Sequence, residues 1–189
     1  MYRILLVDDE ANVLSALRRV LTTIPVDDLD GERPEIETYT SVLEALKRVS
    51  TTPIDLIISD YRMPELSGVD FLAQVIERQP EVARLILSAY ADLDAMTGAI
   101  NRVQVFRFIS KPWHEFELKS AVTQALAQRA LLIENRRLAD LVREQHSQLS
   151  RHEAELRRLE AESPGITRLK VAPDGGIILD EEDGEDAWT

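Results

Sequence analysis

The 189-residue chain contains no cysteine, which excludes disulfide bonds and thiolate metal sites. It also has no apolar run long enough to cross a bilayer. The N-terminal residues lead directly from a short apolar segment into acidic residues, without the features of a signal peptide. From these absences we expect no membrane contact and a cytoplasmic location.

Basic residues are outnumbered, because 22 Lys and Arg stand against 34 Asp and Glu and the formal net charge is −12. A polyanion repels nucleic acid unless its basic residues gather on one face. The arginines of the C-terminal half alternate with glutamates, as between Arg151 and Arg158, a pattern typical of a solvated helix face. We therefore predict that the chain binds no nucleic acid.

The N-terminal two thirds of the chain alternates short apolar runs with segments of helical periodicity. Five runs predict strands; they are Arg3–Val7, Glu35–Tyr39, 55–59, 84–88 and 105–109. Most are β-branched or aliphatic with little polar alternation, which suits strands buried on both faces of a parallel sheet. Strict alternation of strand and helix predicts an α/β fold, a doubly wound five-stranded parallel sheet, over residues 1–128. The acidic link at 22–34 is predicted to be a surface loop.

From His114 the sequence is helical in pattern to about Glu162, without Gly or Pro, and 163–165 then ends the helix. A heptad pattern predicts a parallel, homodimeric coiled coil through 129–163. The nine seam positions are Asn135, Val142, Leu149 and Leu156 at a, with Leu131, Leu138, Gln145, His152 and Leu159 at d. Six of the nine are apolar. The alternatives are a lone exposed helix or one that folds back on the first domain.

The last segment changes character again. Strand-like segments at 166–171 and 177–179 flank a turn-forming segment at 172–176, which predicts a β-hairpin. We assign the hairpin to residues 164–180, and an acidic, disordered tail to 181–189.

Polar residues stand at the ends of four predicted strands. Asp8 and Asp9 follow the first strand, Asp60 follows the third, Ser88 closes the fourth and Lys111 follows the fifth. In a parallel sheet these ends converge on the crevice where open α/β folds bind ligands. Taken singly, they have ordinary readings as turn, loop or surface residues, whereas together they define a site.

Three carboxylates in one small volume would repel each other and raise each other's pKa, unless a hard cation such as Mg²⁺ neutralises them. The Ser88 hydroxyl can donate to a phosphoryl oxygen, and the Lys111 ammonium can neutralise the charge that develops in an in-line transfer. A carboxylate nucleophile with these partners suits the making and breaking of an acyl phosphate.

Residues 1–128 resemble the receiver domain of two-component response regulators. The matching stretches are LLVDDE at 5–10, SDYRMPELSG at 59–68, LSA at 87–89 and FISKPW at 108–113. The resemblance implies that a sensor histidine kinase phosphorylates Asp60. It also implies direct Mg²⁺ ligation by Asp9, Asp60 and the backbone carbonyl of Arg62, with Asp8 helping through water.

The resemblance further implies a switch, in which Ser88 moves toward the phosphoryl group and Phe108 changes rotamer. This chain has Phe where Tyr is common in the family, so a hydroxyl-dependent switch is not available. The stretch 105–113 is similar to receivers attached to HD-GYP phosphodiesterase domains. No HD-GYP, cyclase or helix-turn-helix motif follows in this sequence.

We therefore predict a phosphoacceptor protein, and not an enzyme, that signals by protein contact through the fourth helix, fifth strand and fifth helix. The alternative is a phosphorelay intermediate that passes its phosphoryl group to a histidine phosphotransfer protein. A phosphatase of the haloacid dehalogenase type is disfavoured, because its nucleophile normally lies in an Asp-x-Asp pattern on the first strand. Charge and the missing motif disfavour a DNA-binding regulator.

Overall fold

The computed structural model describes residues 1–89 and 103–163, with the backbone of 170–171 and 177–178. The chain divides into two compact units, residues 1–136 and 137–189. The predicted fourth helical segment near residues 96–100, most of the residues around the predicted hairpin and the acidic tail lie outside the described residues.

The first unit contains a five-stranded parallel sheet, as the sequence predicts. The strands are β1 (Arg3–Val7), β2 (Glu35–Tyr39), β3 (Leu56–Asp60), β4 (Ala83–Ala89) and β5 (Arg107–Lys111). Their order is β2-β1-β3-β4-β5, and every neighbouring pair is parallel. This is the flavodoxin-like order of doubly wound folds, in which ligands bind beyond the carboxyl ends of the strands.

Helices cover both faces of the sheet. They are α1 (Ala11–Leu21), α2 (Val42–Thr51), α3 (Gly68–Arg78) and α4 (Glu115–Glu162). Successive strand residues point to opposite faces. Thus Ile4 and Leu6 of β1 pack in one cluster with α1 and the first turns of α4, whereas Leu5 and Val7 pack in another with α2 and α3.

The bounds of three strands differ from the prediction. β3 ends one residue later, at Asp60, β4 is one residue longer at each end, and β5 begins and ends two residues later, at Arg107 and Lys111. The register explains the difference, because Asp60 pairs with Leu87 and Lys111 pairs with Ala89. Hydrophobic runs locate the buried part of a strand, but backbone pairing continues through the polar residues at its carboxyl end.

The link between α1 and β2 is only partly a surface loop, which corrects the prediction for 22–34. It contains a short 3₁₀ helix at Val26–Leu29, and both Ile24 and Leu29 are buried in the core beside α1. The acidic residues of the link therefore stay exposed, whereas Ile24 and Leu29 contribute to the core.

The predicted C-terminal helix is confirmed as α4, which runs without interruption for 48 residues. Two short strands, β6 (Lys170–Val171) and β7 (Ile177–Ile178), pair in antiparallel fashion, as the predicted hairpin requires. No described helix is both long enough and apolar enough to span a membrane.

Candidate functional site

Three of the predicted site residues meet at the carboxyl edge of the sheet. Asp8 directly follows β1, Asp60 is the last residue of β3 and Lys111 is the last residue of β5. The Lys111 Nζ lies 2.7 Å from Asp8 Oδ2 and also contacts Asp60 Oδ1. One ammonium therefore bridges two carboxylates from different strands. The Lys111–Pro112 peptide bond is cis.

Burial sets the electrostatics of this group. Asp8 is 0% exposed and Asp60 is 6% exposed. Burial raises the pKa of Asp60 and the charge of Asp8 adds to the rise, while Lys111 opposes it. Burial lowers the pKa of Lys111, but hydrogen bonds to Asp60 and Asp8 outweigh that loss and leave it raised. Together the two carboxylates and the one ammonium carry a net charge of −1 when all three are ionised.

Backbone amides orient both carboxylates. The amide of Glu10 donates to Asp8 Oδ1 at 2.9 Å, and the amide of Arg62 donates to Asp60 Oδ2 at 2.6 Å. Each carboxylate thus has one oxygen on a backbone N–H and the other on Lys111. A charge-assisted hydrogen bond of this kind favours the ionised carboxylate.

Gly68 is the last residue of the SDYRMPELSG stretch, and the sequence by itself indicated no role for it. In the structure it positions the end of β3. Its amide donates to the Tyr61 carbonyl at 2.9 Å. A Cβ at this position would lie 2.1 Å from the backbone carbonyl oxygen of Asp60, so only glycine allows α3 to begin this close to the end of β3. The sequence signal is a glycine directly after Ser67, which caps α3 by accepting from the Asp70 amide.

The other predicted site residues are not part of the Lys111 ion pairs with Asp8 and Asp60. Ser88 is buried, and its Oγ donates to the Ala89 carbonyl at 3.1 Å. Asp9 is exposed, and its side chain has no recorded hydrogen bond or ion pair within the described residues. Phe108 is half-buried against the α2–α3 cluster. The roles predicted for these residues stay predictions.

The donor set fits Mg²⁺ in its chemistry. Asp8 and Asp60 supply carboxylate oxygens, the ligands that a hard cation prefers, and their charge exceeds that of Lys111. Within the described residues, no three acidic or histidine side chains form a group that could hold a metal ion. The cation that contacts both Asp8 and Asp60 in the structure is Lys111.

The region that contains these residues matches known proteins. A family model described as the response regulator receiver domain matches residues 4–123. The chain is 35% identical over 128 residues to the hydrogenase transcriptional regulatory protein HoxA of Cupriavidus necator, covering 68% of this chain and 25% of HoxA. The chain thus spans about a quarter of the length of that curated relative.

Solved structures match the same region. An uncharacterized protein from Neptuniibacter caesariensis is 38% identical, with a TM-score of 0.62, over 71% of this chain and 93% of that one. The signal receiver domain of an HD domain-containing protein from Pseudomonas fluorescens is 29% identical, with a TM-score of 0.59, over 68% and 97%. The stretch matched by the family model includes Asp8, Asp60 and Lys111.

Proposed function

The chain belongs to the response regulator receiver domain family, and from this premise we propose that it accepts a phosphoryl group on Asp60 from a sensor histidine kinase and signals by protein contact. The observation that carries the proposal is the Lys111 ammonium, which contacts the carboxylates of both Asp8 and Asp60. These residues end different strands at the ligand-binding edge of the sheet.

In the proposed reaction, a carboxylate oxygen of Asp60 attacks the phosphorus of a phosphohistidine. The P–N bond breaks, and the imidazole leaves with the bonding electrons and takes up a proton. The product is an acyl phosphate on Asp60. Lys111, held beside that carboxylate, would compensate negative charge on the phosphoryl oxygens during transfer.

We propose that Mg²⁺ binds here through Asp8, Asp9, Asp60 and the backbone carbonyl of Arg62. When bound, the ion neutralises charge on the carboxylates and phosphoryl oxygens. The net negative charge of Asp8, Asp60 and Lys111 taken together supports this assignment.

The proposed switch residues are Ser88 on β4 and Phe108 on β5. Ser88 would turn from its contact with the Ala89 carbonyl to donate to the phosphoryl oxygen. Phe108, which is only half-buried, would change rotamer with it and alter the surface near β5 and α4. A partner that reads this surface would receive the signal.

We also propose that residues 129–163 pair two copies of the chain. The support is a set of apolar side chains on α4 that stay exposed in the single chain; they include Leu131, Leu138, Val142, Leu149, Leu156 and Leu159. The absence of a nucleic-acid partner, argued from the charge, stays a prediction, since HoxA is named as a transcriptional regulatory protein.

The assignment of Asp60 is tested by incubation with acetyl phosphate and Mg²⁺, followed by intact-mass measurement. We expect one added phosphoryl group in the wild type and none in Asp60→Asn. Asp27→Asn, a matched change at an exposed residue, should label as the wild type does. Full labelling of Asp60→Asn would refute the assignment.

The roles of Lys111 and Ser88 are separable from metal binding. Lys111→Ala and Ser88→Ala should leave Mg²⁺ affinity, measured by calorimetry, largely intact while uncoupling phosphorylation from output. Lys47→Ala is the matched control on an exposed face of α2. Loss of Mg²⁺ binding in either folded variant would contradict these roles.

The phosphorelay alternative is distinguished by where the phosphoryl group goes. Rapid transfer from phosphorylated Asp60 to a histidine phosphotransfer protein would favour a relay. A long-lived acyl phosphate that changes affinity for a protein partner would favour the regulator.

A further inference from the structure

A cavity lies at the opposite edge of the sheet from Asp60, where β4 and β5 begin. Its volume is about 630 Å³, and residues of the β4 start, the segment before β5 and one side of α4 line it. This volume lies within the range typical of small-molecule sites, about 300–1,000 Å³. The cavity belongs entirely to the first unit and shares no residue with the phosphorylation site.

Three arginines line this cavity, in a chain whose net charge is strongly negative. Two of them have carboxylate partners, since Arg129 pairs with Asp55 at 2.7 Å and Arg136 pairs with Glu81. The third, Arg84, differs from both. Its Nη1 donates to the Pro80 carbonyl at 3.1 Å, and its Nε and Nη2 donate to the Gln104 carbonyl at 3.4 Å.

Arg84, the second residue of β4, is a buried cation. It is 7% exposed, and in the described part of the chain no carboxylate forms an ion pair with it. An arginine keeps its charge at neutral pH, and a buried charge that lacks an opposite charge is costly. Beside it, the Nε of Arg129 is buried and has no hydrogen-bond partner in the described structure. An oxyanion in the cavity would supply the missing negative charge and acceptors.

Apolar side chains form much of the remaining lining, together with the polar Glu81, Gln104 and Gln128; they include Val82, Ala83, Phe106, Ala125 and Leu132. An inorganic anion would leave these side chains without contacts, whereas an apolar group attached to the anion would cover them. We propose that this cavity binds a small organic anion, a carboxylate or phosphate group on an apolar body, with Arg84 as its principal counter-charge. The proposal does not depend on phosphorylation of Asp60.

The test is a calorimetric titration of the full-length protein at constant ionic strength with phenyl phosphate, phenylacetate and inorganic phosphate. We expect at least one aromatic anion to bind with a Kd of about 1 mM or tighter. The better of the two identifies the anionic group. Absence of binding by both aromatic anions, or equal affinity for inorganic phosphate, would overturn the proposal.

Variants locate the site. Arg84→Met should weaken binding by about tenfold or more, the loss typical of a charge-assisted hydrogen bond. Arg84 also donates to two backbone carbonyls, so its substitution could affect folding. Arg136 is more exposed, and Arg136→Gln should also weaken anion binding without affecting the fold. Glu81→Gln should tighten binding, since it releases Arg136 from its ion pair.

Arg78→Gln is the matched control, because Arg78 lines the neighbouring groove and not this cavity. It should bind as the wild type does. Equal weakening by Arg78→Gln and Arg136→Gln would show a general charge effect and would overturn the site.

Discussion

The two parts of α4 differ in what covers their apolar residues. Leu118, Val122 and Leu126 are buried against the sheet, with Leu118 0% exposed. Further along the same helix, Leu131 is 66% exposed and Leu149 is 61% exposed. Residue type and secondary structure are the same in both parts, so the difference lies in the tertiary partner.

The stability of a long helix depends on what its apolar side chains pack against. Burial of a leucine side chain contributes about 1.5–3 kcal/mol, and isolated helices are marginal in water. The first turns of α4 are stabilised in this way within a single chain, because their leucines are buried against the sheet. The part beyond Leu131 is stabilised so only if another surface covers its apolar stripe, which is the physical reason for proposing that two chains pair.

Truncation after Arg136 removes the part of α4 beyond that residue, and of these tests we expect it to have the largest effect. We expect the wild type to be a dimer and the truncated chain a folded monomer that still labels on Asp60, because the first unit contains both the pocket and its own core. Sedimentation and intact-mass measurement check the two parts. A full-length chain that sediments as a monomer at micromolar concentration, phosphorylated or not, would refute the pairing.

A pair of leucine substitutions measures the same contrast in energy. Leu118→Ala should lower the free energy of unfolding of the first unit by about 2–5 kcal/mol, the cost of a core cavity. Leu138→Ala should change that transition by less than about 0.5 kcal/mol, while weakening self-association. Denaturant unfolding and sedimentation distinguish them, and similar effects of both on the first unit would contradict the contrast.

Gly68→Ala tests close packing within the first unit. The new Cβ would meet the Asp60 carbonyl oxygen, so we expect a loss of about 1–3 kcal/mol in the free energy of unfolding and slower labelling of Asp60. Ser67→Ala removes the helix cap beside it, at about 1 kcal/mol, but should label normally. Normal labelling of Gly68→Ala would show that the contact does not position the phosphoacceptor.

The smallest expected effect concerns the ion pair between β2 and α2. Arg48 donates to both carboxylate oxygens of Glu37 at 2.6 and 2.7 Å, and this hydrogen bonding lowers the pKa of Glu37 below its ordinary 4.5. A lowered pKa contributes stability above the unfolded pKa, and that stability is lost as pH falls through the folded value.

Arg48→Gln should therefore lower the Tm at neutral pH by a few degrees or less, and the difference should shrink as the pH falls below about 4. Arg19→Gln, on the exposed side of α1, should show no such pH dependence. If the Tm difference between the wild type and Arg48→Gln stayed constant down to about pH 3, the ionisation of Glu37 would not account for it.

The fold could be predicted because its signals are local. Ile4 to Val7 form an apolar run that is buried on both faces, and such runs alternate with helical periods, which together specify a parallel α/β sheet. The strand ends were less predictable, since β3 and β5 continue through Asp60 and Lys111 by backbone pairing. A hydrophobic pattern does not record that pairing.

Sequence patterns alone specify the alternation of strands and helices up to β4, the long helix α4, and the position of Asp8, Asp60, Ser88 and Lys111 near the carboxyl ends of their strands. Each of these follows from periodicity and chain order, which neighbouring residues encode.

Only the tertiary structure decided that the Lys111 ammonium bridges Asp8 and Asp60, and that Gly68 abuts the Asp60 carbonyl. It also decided that Arg84 is buried beside a cavity, with no carboxylate paired to it among the described residues. These contacts join residues distant in sequence, and their energies depend on burial and distance, which arise only when the strands and helices pack together.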